Sequence, residues 1–458
     1  MQKFKFFFIT DNSVSVKKNS IFFAIKGYFY NKINSNESIL ATNINYIFLA
    51  QKYIHKIHKD KSIYVNNIKK SLSKLLAFNF NKKTKNITCI TGTNGKSSIT
   101  LFSRQIYSSL KKKSCSISTL GIKTNDNNNF KKFNLTTPSN ITLHKLLIEL
   151  FFDNYTHIIL ETSSHALDQY RTDNICIKTA VFSSFSHDHL DYHRNINKYF
   201  FAKSRLFSNI LFTNKTAILN SDISKFQILI KICLNKKIKI IDFGIKSKCL
   251  SITNINKQII KLFRKTSVLN IKTKLQIYNI LASIGFTYTD SKSLNAILNT
   301  ISCLKPLKGR LELTGISKYN GYIYIDYAHT PDALMLTLTN LKKNCKNKLI
   351  ILFGCGGERD KNKRIKMPVI ANKISNIIYI TNDNPRNENA TKIRASILKN
   401  CQGLEIANRK HAIIKIITEL SKGDILLIAG KGHENYQIFG TKKLYFSDHK
   451  IVKKYLKY

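Results

Sequence analysis

Apolar and polar positions along the chain change rhythm twice. Over residues 1–83 short apolar runs (FKFFFIT, SIFFAIKG, YIFLA, SIYV) alternate with Lys- and Asn-rich connections, which predicts a small α/β domain opening on a first strand. KNITCI, a β-like run, then leads through TGTNGKSSIT into the amphipathic stretch LFSRQIYSSLKK. Strand, glycine loop and helix in that order form the mononucleotide-binding unit. Further strands are expected at THIILE and TAVFSSF, whereas 245–275 reads as a poor, Lys-rich meander and predicts a loosened part of the central block. From GRLEL onward, strands (YIYIDYA, KLIILFG, NIIYIT, DILLIAG) interleave with helical stretches, and interleaving of this kind implies a mostly parallel sheet. No internal repeat is present. The expected fold is α/β in three domains, 1–83, 84–309 and 310–458.

Composition changes this picture in three ways. At 458 residues the chain is long enough for two to four domains with real cores. No apolar run reaches the roughly 18 residues of a membrane helix, and the N-terminal run is too short for a signal peptide. Nine scattered cysteines with no paired spacing point to reduced thiols in a cytoplasm, against zinc or disulfides. The net charge of +49 would by itself point to nucleic acid, yet Lys, Asn and Ile are spread everywhere and no aromatic-plus-basic signature accompanies them. The charge therefore reads as compositional drift, and neither a nucleic-acid nor a membrane partner is expected.

That drift gives contrast. Of 17 glycines, eight fall in GTNGKS, KGR, GCGG and GKGHE, and three of five prolines fall in TTP, HTPD and DNPR. Only 11 of 75 basic residues are Arg, yet the proline-stiffened turn Asp383-Asn384-Pro385-Arg386 keeps one. Where a composition disfavours these residues, the stretches that retain them need their backbone or fork geometry.

GTNGKS (Gly92, Thr93, Asn94, Gly95, Lys96, Ser97, then Ser98) lacks the first glycine of the full phosphate-loop pattern, Ile90 standing there. Its amides at a helix N-terminus would cradle phosphate, with Lys96 for charge and Ser97 for magnesium; the plain alternative is an ordinary glycine turn. Glu161 follows the strand THIIL, at an edge where α/β ligands bind, as a metal ligand or a cap. HDHLDYH (187–193) crowds three His and two Asp after another strand, as metal ligands or solvated loop residues. GCGGERDKNKR and AGKGHE also follow strands and offer flexible backbone with charge.

Taken in order and spacing, TGTNGKS, ETSSHALDQYR, HDHLDYH with a downstream Lys, IDYAHTPDAL, GCGGERDK, DNPR and AGKGHENYQ resemble the Mur ligases, ATP-dependent amide-forming enzymes of peptidoglycan synthesis, from about residue 10 to the C-terminus. The resemblance implies a UDP-sugar domain, a central P-loop-type ATPase domain and a C-terminal Rossmann-like domain that brings the amino acid. It implies an acyl-phosphate mechanism with Mg2+ and ATP, in a cytoplasmic monomer. DNPR points to the branch that adds meso-diaminopimelate to UDP-N-acetylmuramoyl-L-alanyl-D-glutamate.

Residue by residue, Lys96, Glu161, His189 and Lys203 resemble the catalytic set. Ser97, Glu161, His189 and Lys203, the last as a carbamate, match metal ligands. Asn279, Asp326 and His329 match positions near the nucleotide. Ser13, Thr136, Thr137, Ser163, Gln169 and Arg171 match contacts of the UDP-muramoyl substrate. Arg359, Asp383, Asn384, Pro385, Arg386, Gly430 and Glu434 match the diaminopimelate pocket. The chain departs from the family at Asn12-Ser13-Val14, where Asp-Ser-Arg is usual, at the aromatic run Tyr28-Phe29-Tyr30, and at Gln276, where Asn is usual. Uracil contacts are accordingly expected to differ. Three alternatives are separable: a lysine-adding sibling, which would not need DNPR; a folate-polyglutamate-type ligase, which would not need ETSSHAL or DNPR; and a basic nucleic-acid-binding ATPase, which predicts nucleic-acid-stimulated hydrolysis.

Overall fold

The computed structural model describes residues 8–11, 20–23, 25, 44–50, 62–80, 84, 86–125, 135–254, 259–263, 265–268, 276–291, 293–305 and 307–456. Ser13 and the departures at 12–14 and 28–30 lie outside them. Four sheets form among the described residues. The first holds β1 (Phe8–Thr10), β2 (Ser20–Phe23), β3 (Ile44–Ala50) and β4 (Ser62–Val65), all parallel and in chain order. Its core of Ile9, Ile21, Phe23, Leu72 and Leu76 also takes in Ile141 from the helix Asn140–Phe152, which ties this sheet to the central block.

The central sheet is built from β5 (Asn86–Thr91), β6 (Ser114–Ser118), β7 (Gly121–Thr124), β8 (His157–Glu161), β9 (Thr179–Phe182), β10 (Thr216–Asn220), β11 (Lys239–Gly244), β12 (Leu250–Asn254), β13 (Ile259–Leu262) and β14 (Lys265–Val268). Their order is 14-13-12-11-10-9-5-8-6-7, parallel from β12 to β6 with antiparallel hairpins at both edges. Strands covered on both faces need apolar residues at every position. β5 supplies Ile87 and Cys89 to one core and Ile90 to the other. The weakly patterned segment 245–275 contributes the edge hairpin: Leu250, Ile252, Ile260 and Leu262 turn inward while Lys261 and Thr253 turn out. The alternation is there, but its runs are only four or five residues long.

The third sheet holds β15 (Glu312–Ile316), β16 (Tyr322–Asp326), β17 (Leu349–Phe353), β18 (Ile377–Ile380), β19 (Leu404–Glu405) and β20 (Ile425–Ala429), ordered 15-16-20-17-18-19 and parallel apart from β15. A hairpin of β21 (Tyr436–Phe439) and β22 (Lys442–Tyr445) follows. In β17, Leu349, Ile351 and Phe353 fill one core while Ile350 and Leu352 fill the other. No described helix is long and apolar enough to cross a membrane.

One buried ion pair locks this sheet's last helices. Arg409 bonds both oxygens of Asp448 at 2.9 Å and also donates to the Ala429 carbonyl, with both side chains fully buried. Arg409→Ala strands Asp448 as an uncompensated buried charge, costing about 3–5 kcal/mol. We expect a melting temperature lower by on the order of 10 °C, measured by calorimetry.

Candidate active site

The C-terminal ends of the central and third sheets face each other, and two cavities open between them, the smaller of which is lined by Asn94 and Gly95. The smaller, about 740 Å³, is lined by Asn94, Gly95, Ser98, Asn279, Asp326, Tyr278 and Arg310 among others. The larger, about 950 Å³, takes Thr136, Asp188 and His189 from the central block. From the third sheet it takes Arg359, Asp383, Asn384, Arg386, Gly430 and Glu434.

The loop is shaped by its glycines. The helix Lys96–Ser109 starts at Gly95, which has φ 87° and no side chain to cap the first amides. Those amides are therefore available to an anion. Asn94 N accepts no such duty itself; it donates to Ser184 Oγ at 2.8 Å, and Thr93 Oγ1 lies 3.2 Å from the Ser186 carbonyl, so the segment after β9 braces the loop. A Cβ on Gly95 would strike Asn279 Oδ1. Gly95→Ala is thus both conformationally strained and sterically opposed. We expect nucleotide affinity to fall about 10–100-fold for roughly 1–3 kcal/mol of strain, read by titration with an ATP analogue.

Lys96 Nζ folds back onto the Gly92 and Thr93 carbonyls at 3.0 and 2.8 Å. Burial pulls its pKa down, while Glu161 and Asp188 pull it up. Lys203, buried to 1% exposure, donates to the same Gly92 carbonyl at 2.7 Å, and its Nζ stands 4.6 Å from the Tyr199 ring centre. Burial, and then Lys96, hold its pKa well below the ordinary lysine value. Glu161 Oε2, at the end of β8, accepts from Ser97 Oγ at 2.9 Å and from Thr119 N at 3.0 Å.

His189 has φ 52°, and burial lowers its pKa to about 2 against the pull of Asp188. Burial raises the Asp188 pKa, but Lys363 at 2.8 Å, with His189 and His329, holds it well below the usual carboxylate range. Among the described residues no three His, Cys, Asp or Glu side chains stand as a ready metal cage. The Ser97 hydroxyl and Glu161 carboxylate are nevertheless the hard oxygen donors a magnesium ion favours. Phosphate oxygens, neutral His189 and a carbamate on Lys203 would complete a set that the side chains alone do not.

Thr137, Ser163, Gln169 and Arg171 form one network. Thr137 Oγ1 donates to the Glu161 carbonyl (2.9 Å) and accepts from Ser163 N (3.1 Å). Arg171 donates to the Thr137 carbonyl (2.9 Å) and to Gln169 Oε1 (2.6 Å). Of this group's neighbours, Thr136 reaches the larger cavity. Asp326, expected near the nucleotide, lines the smaller cavity and accepts from Thr337 Oγ1 at 2.7 Å. His329, expected there too, lines the larger one.

Across the larger cavity, Pro385 is buried and Arg386 adopts φ 52°. Arg386 Nη1 donates to the Gly357 carbonyl at 2.7 Å, and Nη2 and Nε make no bond among the described residues. Asn384 joins Glu434 Oε2 at 3.2 Å and Lys431 Nζ at 3.1 Å.

Comparison with known proteins accounts for this layout. Residues 90–287 match the Mur ligase middle domain and 309–432 the Mur ligase glutamate ligase domain. The chain is 39% identical, over 98% of its length and 95% of the relative's, to the UDP-N-acetylmuramoyl-L-alanyl-D-glutamate--2,6-diaminopimelate ligase of Rickettsia prowazekii (strain Madrid E). The chain belongs to the Mur ligase family. A solved structure of a ligase of that same name is 27% identical with a TM-score of 0.68, covering 99% of this chain and 95% of that one. A folylpolyglutamate synthase/dihydrofolate synthase from Yersinia pestis c092, complexed with AMPPNP and Mn ion, shares the fold at 14% identity and a TM-score of 0.64, over 80% of this chain and 91% of its own.

Four groups of this Mur ligase's cavities were not singled out in the sequence. Asp188 and Lys363 lie inside stretches marked for their histidines and glycines, and they bond each other 175 positions apart. Lys431 lies inside GKGHE. Arg310 follows Gly309 and covers the Tyr327 ring at 4.4 Å. A rule that reads the charged residue beside each retained glycine would have found the last two.

Proposed function

We propose that this Mur ligase joins meso-diaminopimelate to UDP-N-acetylmuramoyl-L-alanyl-D-glutamate, driven by ATP, in peptidoglycan precursor synthesis. The observation that carries the reading is the open Nη2/Nε edge of Arg386, set in a cavity whose same wall holds Asp383 and Glu434. A planar fork takes a carboxylate by two parallel bonds, and the carboxylates beside it take an ammonium. Diaminopimelate carries both groups at its distal end; lysine lacks the carboxylate. The name borne by the relatives at high coverage supports the same substrate pair.

In this reading ATP occupies the smaller cavity, with Asn279 and Asp326 at its nucleoside end. The amides after Gly95 and the Lys96 ammonium hold the phosphates in place of the carbonyls that Lys96 now caps. The D-glutamyl carboxylate, entering the larger cavity past Thr136 and the Thr137–Arg171 network, takes the terminal phosphoryl group to give an acyl phosphate and ADP. The diaminopimelate amine then attacks the acyl carbon, phosphate leaves, and the amine loses a proton. Arg359 and Arg386 orient the incoming amino acid, and Asp383, Asn384, Gly430 and Glu434 receive its ammonium end. Ser97, Glu161, His189 and a carbamylated Lys203 would hold a magnesium ion, which when bound would supply the charge neutralisation that lets two anions meet. The reading takes the protein as a cytoplasmic monomer whose nine free cysteines stay reduced.

The test is phosphate release and tripeptide formation with Mg-ATP and the UDP-dipeptide, in the presence of meso-diaminopimelate, L-lysine or neither. Turnover with diaminopimelate alone supports the reading; equal use of lysine removes it.

A further inference from the structure

We propose that Lys431 is the positioning residue of the amino-acid pocket: it holds Asp383 and Glu434 together as a pair of anions around the substrate's distal ammonium. The proposal rests on the diaminopimelate reading and adds a residue to it. Lys431 follows β20 and is 0% exposed, so it lies beneath the pocket floor and does not reach its opening. Its Nζ stands 3.2 Å from Glu434 Oε2, 3.1 Å from Asn384 Oδ1 and 3.8 Å from Asp383 Oδ1. Asn384 Nδ2 donates to the same Glu434 oxygen at 3.2 Å, and its Oδ1 also accepts from Ile438 N at 3.1 Å. One buried ammonium therefore ties the turn after β18 to the loop after β20.

Two carboxylates facing one cavity with no cation between them share a proton. Burial raises the Glu434 pKa and Asp383 adds to the rise, while Lys431 opposes both. The other described titratable and charged groups around Glu434 make no hydrogen bond to it. Tyr327 and Tyr436 face it from the loop after β16 and from β21, Arg359 and Arg386 lie across the pocket, and Arg409 behind is spent on Asp448. Among the described residues, Lys431 is the cation within hydrogen-bonding reach of that carboxylate.

The charge balance also favours the reactive form. Counted by themselves, the five groups assigned to the amino acid, Arg359, Arg386 and Lys431 against Asp383 and Glu434, sum to one positive charge. Diaminopimelate whose reacting amine is neutral has two carboxylates and one ammonium, one negative charge overall. Lysine in the same form is neutral and leaves the pocket charge unmatched.

The test is steady-state kinetics of the full-length enzyme across pH for Lys431→Gln, Lys431→Arg, Glu434→Gln and the Lys431→Gln/Glu434→Gln double variant. For Lys431→Gln we expect KM for diaminopimelate to rise about 30-fold or more, from the lower end of the effect of losing one partner of a buried charge pair. KM for ATP and for the UDP-dipeptide should stay within about two-fold. Glu434 without its cation protonates at higher pH, so the acid limb of kcat/KM for diaminopimelate should move to higher pH. Lys431→Arg, which keeps the charge, should return it toward wild type. Glu434→Gln should erase the limb even if Lys431 variants fold poorly, and the double variant should be little worse than Glu434→Gln alone. A limb that stays in place, additive losses, or a fall in kcat with KM unchanged overturns the role of Lys431 and leaves the function standing. Wild-type enzyme that does not depend on diaminopimelate overturns both.

Discussion

Arg386→Ala is expected to lower kcat/KM for diaminopimelate by about 30-fold to several-thousand-fold, the equivalent of roughly 2–5 kcal/mol for a desolvated charge pair. KM for ATP should not move, because the turn 383–386 lines the larger cavity and no part of the smaller one. The loss follows from how the guanidinium is held. Nη1 is anchored on the Gly357 carbonyl, and the backbone is pinned by Arg386 N to the Ile438 carbonyl at 3.0 Å and by Gly440 N to the Arg386 carbonyl at 2.7 Å. The fork is thus preorganised, and a bound carboxylate costs it little further ordering. Arg386→Lys keeps the charge but loses the planar pair of donors, so it should recover only a small part of the loss. Discrimination against L-lysine should collapse in both variants. Competition between the two amino acids measures it, and unaltered selectivity in Arg386→Ala would remove Arg386 from the pocket.

Lys203→Ala should abolish turnover to about a hundredth or a thousandth of wild type, as expected when one group stabilising transition-state charge is removed. Its amine is buried, lacks any carboxylate partner among the described ion pairs, and lies beside Lys96 in the field of a second cation. Such an environment favours the neutral amine, the form that adds carbon dioxide with loss of one proton. The carbamate so formed would be an anion, which a metal ion held between it and the phosphates would require. Millimolar formate or acetate should therefore partly restore the Ala variant by placing a carboxylate in the vacated space. Full activity of the untreated variant would eliminate this role. A folded, ATP-binding variant that carboxylates cannot restore would leave Lys203 as a neutral hydrogen-bond donor to Gly92.

The folding unit around the phosphate loop was legible because its signals are local: an apolar run, two glycines, then an amphipathic helix, realised as β5, the turn at Gly92–Gly95 and the helix Lys96–Ser109. The strands after 309 were legible for the same reason, and the motifs that follow them lie at strand ends, where parallel sheets present ligands. The edge strands β12–β14 were missed because their runs are only four or five residues long and carry few apolar positions each.

By itself the sequence determined the α/β class, the phosphate-loop unit and the family resemblance, and it marked DNPR as a turn that keeps its Pro and Arg against the composition. Only the tertiary structure decided that Asn94 and Gly95 line one of two cavities, that His329 lines the larger one, and that Asp188 meets Lys363. Only it put Lys431 beneath Asp383 and Glu434. The reason is physical. Periodicity and turn chemistry act over a few residues, whereas these charge pairs arise when the ends of two separate sheets face one another, and a buried charge takes its partner from whatever that packing brings within reach.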